Sequence, residues 1–326
     1  MQFKTREIFM SAMLAVGLPI SSSAADNTGD PNRPIRIVVP FPPGGITDQL
    51  ARDVSHALAA RLKQPVIVDN KPGAGGNIGA INVARSPGDG YSLLFGTFGT
   101  LPVNKSLYAN PGYDPLKDFA PVAGVAYLPN VLLVHPQVPA NNVAELIALA
   151  KKSPGELTYG SFGNGSSAHL AGELFAHMAG INISHIPYKG SPAAMTDLIG
   201  GRLTMMFDSI PTALPIAKDG RARALAITTT ARSEKLPNQP PMSDTVPGYE
   251  LTAWFGVAAP ASTPKPIVDR LNAEITAALN EPAFRNKLTA QGAVPFAQTP
   301  AQFKSFIDTQ YQKWDTVIKQ ANIRLD

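Results

Sequence analysis

The amino-acid sequence predicts an α/β protein of two lobes, each a mostly parallel sheet flanked by helices, with a helical tail. Three observations predict it. Short apolar runs bounded by Pro and Gly alternate with stretches whose apolar residues recur every three or four positions. That alternation restarts partway along the chain, which gives two α/β halves. After residue 257 the pattern is helical only. At 326 residues, 44% of them hydrophobic and 16% charged, the chain is long enough for two domains and too apolar to be disordered.

In the first half, Pro34 to Pro40 reads as a buried strand that Pro43-Gly44-Gly45 breaks. A helix follows, with Leu50, Val54, Leu58 and Leu62 at spacing four on one face. Pro65 to Asp69 is the second strand, Ile78 to Ala84 the next helix and Ser92 to Phe95 the third strand. Strands joined through helices pair in parallel and are covered on both faces. In the second half, Val131 to Val134 is extended and Val143, Leu146, Ile147 and Ala150 share a helix face. Leu157 to Tyr159 is a strand, and Leu170, Leu174, Phe175 and Met178 mark the next helix. Three further strands fall at 182–188, 203–207 and 222–228, with helices starting near Ser191 and Pro211. Past Trp254 to Val257, Ile267, Val268, Leu271, Ile275 and Leu279 form one helical stripe. Phe303, Phe306, Ile307, Tyr311, Trp314, Val317 and Ile318 form another, and this aromatic face is expected to dock on the body.

The N-terminal segment reads as an address. Lys4 and Arg6 precede the apolar run Ile8 to Ile20, and Ser21 to Ala25 are small, so a secretory signal peptide over 1–25 with a cut after Ala25 is expected. The run is shorter than the roughly 20 apolar residues of a spanning helix, which argues against a membrane anchor. The mature protein is therefore placed outside the cytoplasm. The chain has no cysteine, so disulfides, thiolate metal sites, Cys nucleophiles and a lipid-bearing Cys are all excluded. A net charge of +4 with no Lys/Arg run longer than two argues against a nucleic-acid partner, which needs clustered cations.

Three loops have the form of a ligand site, because open parallel sheets bind beyond their strand ends at helix N-termini. They are Phe41 to Asp48, Gly96 to Thr100 and Ser161 to Ser167. Their glycines let backbone N–H groups approach a ligand and their hydroxyls add donors. None of the three holds Lys or Arg, so carboxylate capture by neutral donors is expected rather than a salt bridge. Gly73 to Gly79 is spaced G-x-G-x-x-x-G, not as a dinucleotide loop, and no cofactor is expected. Ser166, His169 and Asp208 contain the residue types of a hydrolytic triad, but there is no G-x-S-x-G elbow. His169, His177 and His185 recur every eight residues, a spacing unsuited to a metal, and no metal is expected.

The runs PIRIVVPFPPGGITDQLAR (34–52), QPVIVDNKPGAGGNIGA (64–80), DGYSLLFG (89–96) and YDPLKDFAPV (113–122) resemble the Bug family. These are extracytoplasmic receptors of tripartite tricarboxylate transporters. ELIALAKKSPGELTYGSFGNGSSAHLAGELF (145–175), HIPYKGSPAAMTDLIGGRLTMMFDS (185–209), RALAITTTARS (223–233) and WFGVAAPASTP (254–264) extend the resemblance over nearly all of the mature chain. The resemblance implies a periplasmic-binding-protein fold of the second type and makes the compartment of the mature protein the periplasm. Lobe one would be 33–130 plus 250–326 and lobe two 131–249, with the C-terminal helices on lobe one. It implies a small organic carboxylate as ligand and a small and a large membrane subunit as partners, with the receptor a monomer and not an enzyme.

Carried onto this sequence, the family's first binding loop is Phe41, Pro43, Gly44, Gly45, Thr47 and Asp48. The second is Ser161, Gly163, Gly165, Ser166 and Ser167, with His169 just beyond. Thr97 and Thr100 occupy the third loop, and Phe98 and Phe162 are candidate walls for an apolar solute. Asp208 is expected at the cleft, where binding a solute amine, orienting water and capping the next helix all stay open. A receptor for a signalling partner, or an enzyme on the same fold, are the alternative functions.

Overall fold

A computed structural model of the chain describes residues 31–321 and 323–325. The expected leader, 1–25, lies outside the described residues. The first apolar runs form β1 (Ile35–Val39), β2 (Val66–Asn70) and β3 (Ser92–Thr97), joined through α1 (Ile46–Leu62) and α2 (Asn77–Ala84). β1 pairs in parallel with both β2 and β3. α1 buries Leu50, Val54, Leu58 and Leu62, the stripe its spacing predicts. After β3 the chain tightens through residues 99–103 into the short α3 (Asn104–Leu107).

The longest strand, β4 (Phe119–Val134), was legible in sequence only at its end. Pro121, Gly124 and Pro129 disguise the rest, since proline removes a ladder donor. The pairing shifts register between Pro121 and Ala123 and again between Gly124 and Ala126. β4 runs antiparallel to β9 (Thr252–Pro260) as far as Pro129↔Thr252. From Asn130 it pairs instead with β7 (Met205–Ser209), and from Val131 also with β8 (Arg223–Ile227). A single long strand thus belongs to both halves of the sheet.

The second half is built as the first. α4 (Val143–Lys152), capped by Asn142, leads to β5 (Thr158–Ser161), and α5 (Ser167–Ala179) to β6 (Ser184–Pro187). α6 (Ser191–Ile199) precedes β7, and α7 (Ile210–Lys218) precedes β8. β5 pairs in parallel with β6 and β7. The resulting sheet order is β2-β1-β3-β9-β4-β7-β5-β6. The sheet is mixed: β1, β2 and β3 run parallel, as do β5, β6 and β7, while β4 and β9 supply antiparallel pairs at the centre.

α8 (Lys265–Asn280) packs beside α1 through Val268, Leu271, Ile275 and Leu279, on the same face as Ile35, Ile37 and Val257. α9 (Pro282–Ala290) was not anticipated; it is short and buries only Leu288, so it leaves little periodic signal. β10 (Val294–Pro295) pairs with β4. α10 (Pro300–Gln320) starts with a Thr299/Gln302 capping box and docks by its aromatic face. Trp254 of β9 meets Phe303 and Phe306 edge-on at 5.8 and 5.1 Å between ring centres, and Trp314 meets Phe98 at 4.9 Å. Burial of one such side chain stabilises by about 1.5–3 kcal/mol, so this helix is held by its tertiary contacts rather than by propensity.

Candidate functional site

The strand ends and helix starts of both halves meet around a cavity of about 210 Å³. From the first half come Phe41, Pro43, Gly45 and Thr47 at the start of α1, and Thr97, Phe98 and Gly99 after β3. From the second come Phe162, Ser166 and Ser167 at the start of α5, Gly190 and Ser191 at the start of α6, and Asp208 and Ser209 at the end of β7. Asn130 and Ala253 to Phe255 close it along the crossing strands. The first N–H groups of a helix have no intrahelical acceptor and carry the positive end of the dipole. Three helices of eight or more residues, α1, α5 and α6, point that end into one space.

Each loop is held by hydrogen bonds behind the wall. Gly45 is the N-cap of α1, with extended φ −84° and ψ 171°. Asp48 does not line the cavity. Its carboxylate accepts from the Gly44 N–H at 3.1 Å, from Arg52 Nε and Nη2 at 3.0 and 2.9 Å, and from Asn70 Nδ2 at 3.0 Å. Burial pushes this carboxyl up, but the bonds from Arg52, Asn70 and Gly44 outweigh it and hold the group below its ordinary value. Asp48 therefore fixes the loop that presents Gly45. Thr97 lines the cavity, and Thr100 stands fully buried behind it, its Oγ1 accepting from the Thr97 N–H at 3.0 Å.

Ser166 is the N-cap of α5 and donates from Oγ to the Gly163 carbonyl at 2.6 Å. Gly163 has φ +124°, a conformation that favours glycine, and with Gly165 it shapes the loop without lining the space. Ser161 Oγ lies 2.7 Å from His185 Nε2, and the Gly165 N–H donates to His169 Nδ1 at 3.3 Å. The two imidazoles stack with centres 4.2 Å apart. Burial lowers both, with a push from His185 on His169, to about 3 for His169 and about 4 for His185. They form a neutral brace under the loop.

The structure thus brings Phe41, Pro43, Gly45, Thr47, Thr97, Ser166, Ser167 and Asp208 to the wall, with Phe98 and Phe162. Gly44, Asp48, Thr100, Ser161, Gly163, Gly165 and His169 stand behind it. A fourth loop, absent from the sequence reading, adds Lys189, Gly190 and Ser191. The three loops read from the sequence hold no Lys or Arg; the fourth brings exposed Lys189 to the rim. The available signal was a helix start with Pro192 in its first turn. Asn130 was also missed; its signal was a lone amide in an otherwise apolar run. Asp208 is fully buried and accepts from Ser191 Oγ at 2.6 Å and from the Ser209 N–H at 2.8 Å. Burial raises its carboxyl to about 6 against these bonds.

A larger cavity of about 660 Å³ lies between Tyr127, Arg232, Lys235, Glu250, Phe306 and Lys313, and shares only Trp254 with the first. It contains none of the candidate residues from the sequence. Among the described residues, no group of three His, Asp or Glu is placed to hold a metal ion, and no helix is long and apolar enough to cross a membrane. The glycines of residues 73–79 serve packing, since a Cβ on Gly79 would sit 2.9 Å from Pro40 Cα.

Comparison with known proteins points the same way. The family described as "Tripartite tricarboxylate transporter family receptor" matches residues 50–323. Protein BugT of Bordetella pertussis is 38% identical over 318 residues, spanning 96% of this chain and 98% of that protein. A Rhodopseudomonas palustris structure with adipate superposes at a TM-score of 0.87 with 40% identity, covering 90% of this chain and 99% of the other. MatC from Rhodopseudomonas palustris, with bound malate, gives 0.84 and 31% over 88% and 99%. With its α/β architecture, its helix N-termini around one cavity and this similarity along nearly its whole length, the chain belongs to the tripartite tricarboxylate transporter receptor family, among the Bug proteins.

Proposed function

We propose that the protein captures a small organic carboxylate in this cavity outside the cytoplasm, and that it passes the solute to the small and large membrane subunits of a tripartite transporter. The observation that carries this reading is the convergence of the α1, α5 and α6 N-termini on one space. A carboxylate placed there meets N–H donors and the positive ends of helix dipoles without needing a buried cation. The adipate and malate held by related structures support this ligand class.

In this reading the lobes are 33–130 plus 250–326 and 131–249. The pairing switch at Pro129 and Asn130, and the β9 start at Thr252, support crossings near these two points. Only a closed arrangement lets both lobes contact one solute, so binding favours closure. The closed monomer is then the form that docks on the membrane subunits, and cleavage after Ala25 places it in the periplasm. No catalytic role is proposed: Ser166 Oγ donates to the Gly163 carbonyl and Asp208 is engaged by Ser191 and Ser209, so the three form no relay.

Thermal unfolding of residues 26–326 against organic acids and their methyl esters tests the reading. An acid at 100 times its dissociation constant adds about 2.7 kcal/mol and should raise the midpoint by about 2 °C or more, while its ester does nothing. No shift with any acid, on protein shown by mass spectrometry to carry no solute from its host, would refute it.

A further inference from the structure

Beside the first residues of α5 and α6, the cavity has an acceptor wall. Asn130 sits where β4 leaves β9 for β7, opposite Ser209, and is fully buried. Its backbone is satisfied: the N–H donates to Thr228 Oγ1 at 2.9 Å and the carbonyl accepts from the Thr228 N–H at 2.9 Å. Its Nδ2 donates to Ser167 Oγ at 3.1 Å. Its Oδ1 is buried and meets no donor. Beside Ser209 on β7, Asp208 is buried to the same degree. Oδ2 takes the Ser191 hydroxyl, and Oδ1 takes the Ser209 N–H with a longer contact of 3.4 Å from its hydroxyl; the Thr212 hydroxyl also bears on the carboxylate but donates to the Ser209 carbonyl at 2.9 Å.

A carboxylate offers about four acceptor positions and an amide oxygen two. The protein's own donors leave acceptor capacity on both side chains, and buried polar groups in folded proteins are rarely left unpaired. A wall of this kind rejects a second carboxylate, whose lone pairs would face those of Asp208. It accepts an O–H or N–H.

We infer that the solute carries a hydroxyl or an ammonium beside its carboxylate, and that Asn130 Oδ1 and Asp208 receive this donor while the helix N-termini hold the carboxylate. The inference rests on the carboxylate reading above and narrows it from organic acids in general to hydroxy and amino acids. The first lobe and α5 read the anion; the strand ends at 130 and 208 read the substituent. A site that hydrogen-bonds a polar substituent discriminates strongly against the analogue that lacks it, because its own buried group is then left unpaired.

The test is calorimetric titration at pH 7.5 with succinate, glutarate and adipate, each against its 2-hydroxy and 2-amino derivative. In at least one set, a derivative is expected to bind tenfold or more tighter than its parent. Hydroxy or amino preference identifies which donor the wall takes. Asp208→Asn, which replaces an acceptor oxygen by a donor, should cut that ratio to about threefold or less. Parents binding as tightly as their derivatives overturns the inference and leaves the carboxylate reading standing; no binding by any of the acids, on protein shown by mass spectrometry to carry no solute from its host, overturns both. A ratio unchanged in folded Asp208→Asn and Asn130→Leu proteins overturns the assignment to this wall. So does a crystal structure of the wild-type complex with the donor atom beyond hydrogen-bond reach of both residues.

Discussion

Replacing Gly45 by valine separates the fold from the site. The backbone there is extended, φ −84° and ψ 171°, a region that valine adopts without strain. A Cβ built on Gly45 has nothing within 4 Å. Losing glycine at an N-cap costs at most about 1 kcal/mol, and restricting the unfolded chain returns about 0.4–1 kcal/mol. Stability should therefore stay within about 1 kcal/mol of wild type. Binding should not survive. Gly45 lines the cavity of about 210 Å³, and the added isopropyl group stands across the approach to the first N–H groups of α1. Loss of two hydrogen bonds to a charged group, each about 1.5–3 kcal/mol, predicts affinity weaker by about 150-fold or more. Calorimetric titration with a bound acid reads the loss, and circular dichroism melting checks the fold. A folded Gly45→Val protein that binds within threefold of wild type would refute the donor-loop reasoning. Gly163→Val is a poorer probe, because φ +124° strains a β-branched residue before any ligand is considered.

Other predictions follow from the surroundings of the site. His169 and His185 are held to about 3 and 4 in the fold against 6.5 when free, so the unfolded chain takes up protons first as the pH falls. Their contribution is complete above about pH 6.5 and is lost as pH drops toward 4; Asp208, raised from 3.8 to about 6, runs the other way between those values. Two imidazoles outweigh one carboxyl, so urea unfolding should give a lower free energy at pH 4.5 than at pH 7, with a smaller difference in His185→Gln; an equal value at both pH values in wild type would contradict this. Trp314→Ala removes a fully buried ring packed edge-on against cavity residue Phe98, and should cost about 3–5 kcal/mol by denaturant titration. Lys189→Ala removes an exposed rim charge, so affinity should fall only about two- to fivefold at low salt and not at all in high salt.

The legible parts of this fold are those where one period dominates locally. The α1 stripe from Leu50 to Leu62 and the aromatic face of α10 could be read because each buries a continuous helical row. β4 could not, since its first eleven residues contain prolines and a glycine that are compatible with a strand only through its partner β9 and the two register shifts. At the site, loops rich in glycine and hydroxyls announced themselves. Those residues proved to be of two kinds, and sequence could not sort them: Ser166 faces the cavity while Ser161 faces His185. The wall joins Asn130 on β4 to Ser191 on α6 and Asp208 on β7, much further along the chain; Asp208 could be named from the sequence, but Asn130 and Ser191 carry no local pattern that ties them to it.

In the proposed function a carboxylate sits where α1 and α5 begin. A crystal structure of the protein with a bound organic acid would locate it. The expected result puts the carboxylate oxygens about 2.7–3.2 Å from backbone nitrogens at residues 45–47 and from the first turn of α5 at residues 166–168. An acid found instead in the larger cavity beside Arg232 and Lys313, or held at the rim by Lys189 alone, would contradict it.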